Sequence, residues 1–521
     1  MPHDLWTHPD VVQLELFANR FAAIAVDMGE LLRRTALCIN TIEGESFSCA
    51  VLDPVGRLVT SAPDVPLHLG SLGPCVRSLS QVLDLQPGDV ALTNHPAHGS
   101  CQLADLTVVT PVFASDEPMR LLGYVANRTH HVEIGGARPG SVSATATCLA
   151  EEGVVIPPLQ VVRRDSPRFA LLREILTAAP HPSRSVEDSL ADVAAAIAAN
   201  NLGCEELQAL AADHGAETLA HSMEALRAHA AEGMRQALSA LPDGLYQACE
   251  ALDDGAQLRV TISISGTRAV VDFAGSAPVH PGNLNAPLEV VRSATLYALR
   301  LLAAAQIPLN EGLLEPVELR VPEGLLNPRF PDDPRQAPAV FGGNVETGQR
   351  AVDTLLKALG GVACSQGTVN SVIFGDNRFG YCETVAGGGG AGAGFPGAHA
   401  VHSHLCNARA IDPEVLEQRY PVRLERFAIR RGSGGRGRHR GGDGTIRELR
   451  FLRPLSLAVL GQHRTAGPYG MDGGEPGSPG AQRLVRPSGE TVELGWAGSC
   501  KAEAGDRLIL ETPGGGGWGE P

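Results

Sequence analysis

Among the side chains between positions 95 and 133 that could hold a metal or move a proton, six stand out: His95, His98, Cys101, Asp105, His130 and Glu133. They form two groups. One is Thr93-Asn94-His95-Pro96-Ala97-His98-Gly99-Ser100-Cys101-Gln102-Leu103-Ala104-Asp105. The other is Ala126-Asn127-Arg128-Thr129-His130-His131-Val132-Glu133-Ile134-Gly135-Gly136. Imidazoles and carboxylates at such density suit metal ligation or general acid–base catalysis. Cys101, close to imidazoles, reads as a nucleophile if they favour its thiolate, and as an inert core thiol otherwise. His131 and Glu133 read as a base and its orienting acid, or as alternate residues of a strand edge.

The segment between the groups, Leu106 to Phe113, reads as a buried strand. If its two ends return to one place, two loops build one site. Upstream, Asp10 precedes a helix whose apolar face is Leu14, Phe17, Phe21, Ile24, Met28, Leu31 and Leu32. Strand-like runs follow at 46–52 and 57–60, joined by the turn Asp53-Pro54-Val55-Gly56. Residues 187–240 have helical period, with breaks expected at Asn200-Asn201-Leu202-Gly203 and near His214-Gly215. Residues 256–274 alternate as β-structure, and a helix is expected over 287–305. Gly-rich loops dominate from 341, and the last hundred residues alternate short strands and turns. This pattern predicts a multi-layer α+β fold. The expected divisions are 1–180 with the site, a helical segment 181–250, a central α/β part 251–410 and a β-rich part 411–521.

Composition narrows the function classes. A chain of 521 residues with 43% apolar content can bury a large core, divided among about two to four domains. A net charge of −16 argues against nucleic acid or an anionic membrane as partner. The 11 cysteines are scattered without a CxxC pair, the usage of reduced cytoplasmic thiols. Residues 1–10 lack the basic and apolar regions of a signal peptide, and no run of 18 apolar residues suggests a membrane span.

Further along, His402 and His404 would share one face of a strand. Their plainest reading is a pair of half-buried strand histidines. Gly387–Gly390 reads as a packing loop without Cβ atoms rather than an anion cradle. Arg430, Arg431, Arg436, Arg438 and Arg440 alternate with glycine but lack interleaved aromatics. They suit a surface loop better than an RNA-binding tract.

Several motifs together resemble the hydantoinase B / N-methylhydantoinase B family, relatives of 5-oxoprolinase and the acetone carboxylase alpha subunit. They are Arg33-Arg34-Thr35-Ala36, Phe47-Ser48-Cys49-Ala50, His68-Leu69-Gly70-Ser71, the two site segments, Pro281 to Pro287, Gly342 to Thr347, Ser365 to Thr368, Val401 to His404 and Glu511 to Gly519. The resemblance runs along the whole chain in order. It implies a hydantoinase B-type fold, a hetero-oligomer with an ATP-binding hydantoinase A-type subunit, and a cyclic amide, lactam or hydantoin-like substrate opened by hydrolysis. ATP would be handled only by the partner, in keeping with the lack of a GxxxxGK[ST] loop here.

The family metal site, mapped onto this chain, falls on Ser46, Gln102, Asp105 and His130. Ser and Gln replace two strong ligands with weak neutral donors. Three outcomes follow: no tightly held metal, a Mn, Zn or Fe site rebuilt from Asp105 and His130 with His95 or His98, or a weakened original. Glu43, Ser46, Gln102 and Asn127 are the expected substrate contacts. Asp105, His130, His131, Glu133 and Cys101 are the expected catalytic groups. Beside the hydrolytic reading stand two others: a metal-independent enzyme of specialised metabolism (cyclisation, amide formation or acyl transfer), and a non-catalytic structural subunit.

Overall fold

The computed structural model describes residues 11–521 except 64, 142 and 304–306. The capping residue expected at Asp10 and the leader reading of 1–10 lie outside this range. Seven strands form the first sheet: β1 (Phe47–Leu52), β2 (Leu58–Ala62), β3 (Val90–Thr93), β4 (Asp105–Phe113), β5 (Leu121–His130), β6 (Leu159–Arg163) and β7 (Ser166–Pro167). Their order is β2-β1-β5-β4-β3-β6-β7, and every neighbouring pair is antiparallel. Both faces are covered, so β4 and β5 are buried almost throughout. Alternate residues serve different cores. Cys49, Val51, Val108 and Val125 pack with Phe17, Phe21 and Met28 of the helix Val11–Thr35 and with Ala196 and Ala199 of the helix Val186–His214. Ala50, Leu52, Val109 and Ala126 pack on the other side, towards Val290 and Ala294 of the helix Leu288–Leu302.

The break expected at Asn200–Gly203 does not occur. Asn200 is fully buried, donates to Val108 O (3.2 Å) and Thr110 Oγ1 (3.1 Å), and accepts from Asn127 Nδ2 (2.8 Å). These bonds across the helix–sheet contact override the weak helix preference of asparagine. Gly203 lets the two long helices touch, since a Cβ there would lie 2.4 Å from Met28 Sδ. The second expected break is real: Gly215, at φ 86°, separates Val186–His214 from Ala216–Ser239.

A second sheet, ordered β11-β10-β9-β8, contains β8 (Gly244–Ala251), β9 (Gln257–Ser265), β10 (Arg268–Asp272) and β11 (Val317–Arg320). The first of these lies inside the segment expected to be helical. Strands β12 (Ser371–Gly375), β13 (Gly380–Thr384), β14 (Val422–Ile429), β15 (Thr445–Phe451), β16 (Leu455–Leu460), β17 (Ala481–Val485), β18 (Thr491–Glu493), β19 (Ala497–Ala502) and β20 (Arg507–Glu511) make two more. Their orders are β13-β12-β16-β19 and β14-β15-β20-β17-β18. One core of Phe374, Tyr381, Phe451, Leu457 and Leu508 joins them. The expected division at 410/411 is therefore crossed, because β12 pairs with β16 across it. Among the described residues, no helix is long and apolar enough to cross a membrane.

The glycine runs form a backbone lattice. Gly442 N–H donates to Gly389 O (2.8 Å), Gly515 N–H to Gly442 O (2.9 Å), and Gly435 N–H to Gly515 O (2.9 Å). A Cβ on Gly515 would lie 2.0 Å from Gly389 O, and one on Gly442 1.9 Å from Ala398 O. The glycines point inward while Arg431, Arg436, Arg438 and Arg440 are exposed, the surface-loop arrangement expected. His402 and His404 lie in a turn, with His404 at φ 56°, and not on a strand. Gly515→Ala should destabilise the protein by about 2–3 kcal/mol, because the neighbours are backbone and cannot yield. Gly361→Ala, where nothing lies within 4 Å of the added Cβ, should leave the denaturation midpoint unchanged; equal midpoints for both variants would refute the lattice.

Candidate active site

The antiparallel register of β4 and β5 sets Asp105 directly opposite His130. Opposed residues on such a pair project to the same face, and His130 Nδ1 lies 3.0 Å from Asp105 Oδ1. Gln102, from the turn before β4, donates from Nε2 to the same oxygen at 2.9 Å. The other carboxylate oxygen lies 3.6 Å from His68 Nε2, beyond hydrogen-bond reach. His68 is fixed in turn by Ser48 Oγ, 3.0 Å from its Nδ1.

Asp105 is 2% exposed. Burial works against its charge, but His130 and His68 outweigh it and hold the carboxyl well below the usual range. Burial pushes the His68 imidazole below its usual range.

These groups floor a cleft with about 900 Å³ of empty space, its open mouth included. Ser46, His68, Gln102, Asp105 and His130 come from the first sheet and its loops. Phe341, Asn344 and Gln349 form a second wall, and Ser371 with its strand partner Thr384, Leu405 and Cys406 a third. Asn344 sits on a π-helical turn, Gly343–Thr347, that leads into the helix Gly348–Leu359. Such turns recur at functional sites because the extra residue re-aims a side chain. Five buried atoms of this lining have no hydrogen-bond partner in the protein: Gln102 Oε1, Asp105 Oδ2, Asn344 Oδ1, Gln349 Oε1 and Ser371 Oγ. Each such group in an apolar setting costs about 1–3 kcal/mol. A polar ligand would recover that cost.

Of the expected site residues, the fold brings Ser46, Gln102, Asp105 and His130 together. The others go elsewhere. Alternation along the chain turns His131 away from Asp105; its Nε2 lies 3.1 Å from Thr129 Oγ1, and burial lowers its pKa. Glu133 orients no base. It accepts from Gly135 N–H (2.9 Å), Gly140 N–H (3.0 Å) and Arg184 Nη1 (3.1 Å), tying a loop to the chain near 184. Cys101 is fully buried beside Arg128, and burial pushes its thiol up to about 12, the opposite of activation. Asn127 donates to Ala196 O (2.7 Å) and Asn200 Oδ1 (2.8 Å) beneath a helix, not to the cleft.

His95 and His98 pack edge-to-face at 5.4 Å on a short turn outside the cleft lining. Burial and the neighbouring ring push His95 down to about 4, and His98 Nδ1 lies 2.9 Å from Ser78 Oγ. Neither reaches Asp105 to rebuild a metal site. Glu43 closes the helix Ile39–Ile42 through its N–H and is not part of the lining. Sequence reasoning missed His68, Gln349, Ser371 and Cys406 as cleft residues. His68 had a signal, its place in the His68-Leu69-Gly70-Ser71 motif. The others come from segments distant in sequence.

Residues 10–521 match the model of the Hydantoinase B/oxoprolinase family. The chain belongs to the hydantoinase B/oxoprolinase family. It is 39% identical over 98% of its length to "5-oxoprolinase 1" of Arabidopsis thaliana, of which it covers 42%. It thus spans about two fifths of the length of the curated 5-oxoprolinases it matches. Among solved structures it resembles the ATP-dependent caprolactamase from Pseudomonas jessenii, with a TM-score of 0.87 and 25% identity, covering 98% of this chain and 91% of that one. Acetone carboxylase shares the fold, with a TM-score of 0.87 at 17% identity, over 98% of this chain and 76% of that one. The mixed, several-sheet architecture of this family member is that of these two proteins.

Because Glu133 anchors a loop, Glu133→Gln should lower stability by about 2 kcal/mol, through loss of a mostly buried charge pair. Turnover per folded molecule should stay within about twofold. A large kcat loss at unchanged stability would return Glu133 to the reaction.

Proposed function

We propose that this chain is a hydantoinase B-type subunit that opens a cyclic amide, a lactam or hydantoin-like ring, after an ATP-binding partner subunit has activated it. The observation that carries this reading is the Asp105–His130 pair at the floor of a cleft lined with unpartnered amide and hydroxyl groups. Names of the relatives support the substrate class, since they include 5-oxoprolinase and an ATP-dependent caprolactamase. In this reading an ATP-handling part works with the region that this chain matches, and the curated relatives extend well beyond that region.

The chemistry follows from the hydrogen bonds. Asp105 stays ionised and accepts the Nδ1 proton of His130, so the neutral ring keeps its lone pair on Nε2. That nitrogen takes a proton from a water adding to the activated carbon. Asp105 stabilises the imidazolium, and the same proton then passes to the ring nitrogen as its C–N bond breaks, while the added hydroxyl releases its remaining proton and becomes the acyl carbonyl. Carboxamide oxygens of Gln102, Asn344 and Gln349 suit a ring N–H, and Ser371 suits a carbonyl oxygen.

A metal fits these residues poorly. Ser46 and Gln102 are neutral donors, and Asp105 Oδ1 is already shared by Gln102 and His130, which leaves Oδ2 beside His68 as the carboxylate's open oxygen. Among the described residues, no group of three or more His, Cys, Asp or Glu is placed to hold an ion. No step above uses one.

Two measurements check this reading. With the partner subunit and ATP, ring opening of 5-oxoproline, hydantoin and caprolactam should be assayed. His130→Ala and Asp105→Asn should each lower kcat by about 10²–10⁴-fold without a matching loss of stability. Undiminished turnover by His130→Ala would sink the mechanism. Separately, Ser46→Asp with Gln102→His should raise Mn or Zn affinity at least about tenfold in elemental analysis and titration calorimetry. Equal uptake by the unaltered chain would show that its own donors suffice.

A further inference from the structure

The same cleft holds a second reactive group that the Asp105–His130 chemistry does not use. Cys406, in its third wall, is partly exposed. Its sulfur lies 3.5 Å from His402 Nδ1 and 3.7 Å from Thr384 Oγ1. The turn that carries both residues holds them in place, with Cys406 N–H donating to Ser403 O at 3.2 Å. Glu383 also faces His402, but its carboxylate is held by Arg447 through two bonds of 2.7 Å. It is therefore not free to take the imidazole from the sulfur.

Burial alone would keep this thiol neutral. The His402 charge and hydrogen bond overcome that and bring it to about 7, while the imidazole rises above its usual value. Cys382, which lines the same cleft without such a partner, is pushed up to about 12. A ligand-binding role for this space rests on a separate observation: Ser371 Oγ and Asn344 Oδ1, on side chains 1% and 3% exposed, line it without a protein partner.

We propose that Cys406 and His402 form a nucleophilic thiolate–imidazolium pair that captures the acyl group of an acyl phosphate bound in the cleft. Such a species forms when water adds to a phosphorylated cyclic amide and the ring C–N bond breaks. The choice of acyl donor thus rests on the hydrolytic reading above, whereas the reactive pair does not. The thiolate sulfur bonds to the acyl carbon. The carbon–oxygen bond to phosphate breaks, and phosphate leaves with that electron pair and takes the His402 proton. A water then adds to the thioester as His402 removes one of its protons. The C–S bond breaks, the thiolate is restored, and the free acid gives its proton to solvent.

The first experiment uses the unaltered chain. Iodoacetamide is added at pH 7 and modification is timed at each cysteine by peptide mass spectrometry, with the exposed Cys249 as internal reference. Cys406 should react about tenfold faster or more, with a pH profile inflecting near 7. His402→Gln should bring its rate down to that of Cys249. In parallel, acetyl phosphate should place one hydroxylamine-labile acetyl group on Cys406 and none on Cys406→Ser. A Cys406 rate no greater than that of Cys249 in the unaltered chain overturns the pair. Fast alkylation without a labile acetyl group overturns acyl capture. Neither readout needs a lactam or the partner subunit, so failure of ring opening with labelling intact would count against the proposed function alone.

Discussion

The register between β4 and β5 is the constraint on which the site depends. It brings Asp105 and His130, 25 residues apart in the chain, into one hydrogen bond. A slip of one residue would turn every side chain of the strand to the opposite face. The cores on both sides of the sheet forbid that slip, because Val108 belongs to one and Val109 to the other. The buried Asn127–Asn200 contact locks the helix to the same register, since its partner atoms on β4 must lie where they do. Stability and site geometry therefore rest on one set of contacts.

Burying a carboxylate is unfavourable unless its oxygens are answered. At Asp105 His130 and Gln102 answer one oxygen, and the other lies unbonded 3.6 Å from His68, the three residues coming from three separate segments. The cluster is thereby preorganised: the imidazole is oriented before any substrate arrives, and the negative charge is in place to stabilise its protonated form. Glu133 shows the same requirement met for a different end. Backbone N–H groups and Arg184 satisfy it completely, which leaves nothing over for a reacting proton.

The walls of the cleft depend on the glycine lattice in a less direct way. Chains around Gly389, Gly442 and Gly515 approach as closely as backbone allows and bond sideways to each other. Gly387, next to this lattice, is joined to Val401, the residue before His402, by two backbone bonds of 3.1 and 2.8 Å. Glycine is required there because of what the neighbours occupy, and its conformational entropy in the unfolded chain is offset by backbone hydrogen bonds.

Local information in the chain determined a good deal. Apolar period placed the N-terminal helix, the strand at 106–113, the helix near 287–305 and the alternating strands at 256–274. The motifs identified the family, and the density of His, Asp and Glu pointed to the segments that carry Asp105 and His130. What remained undetermined were the roles of neighbours on those segments. His131, Glu133 and Cys101 have types as suitable for chemistry as those of Asp105 and His130. Which face each takes, and what meets it there, depends on strand pairing and on loops distant in sequence. Ser371 and Cys406 join the cleft from segments with no local sign of it. Asn200 and Gly203 read as a break but lie within a continuous helix. Propensity and spacing are properties of a few adjacent residues. Burial, partner atoms and the pKa shifts they cause are properties of the assembled fold, and only tertiary contacts could decide them.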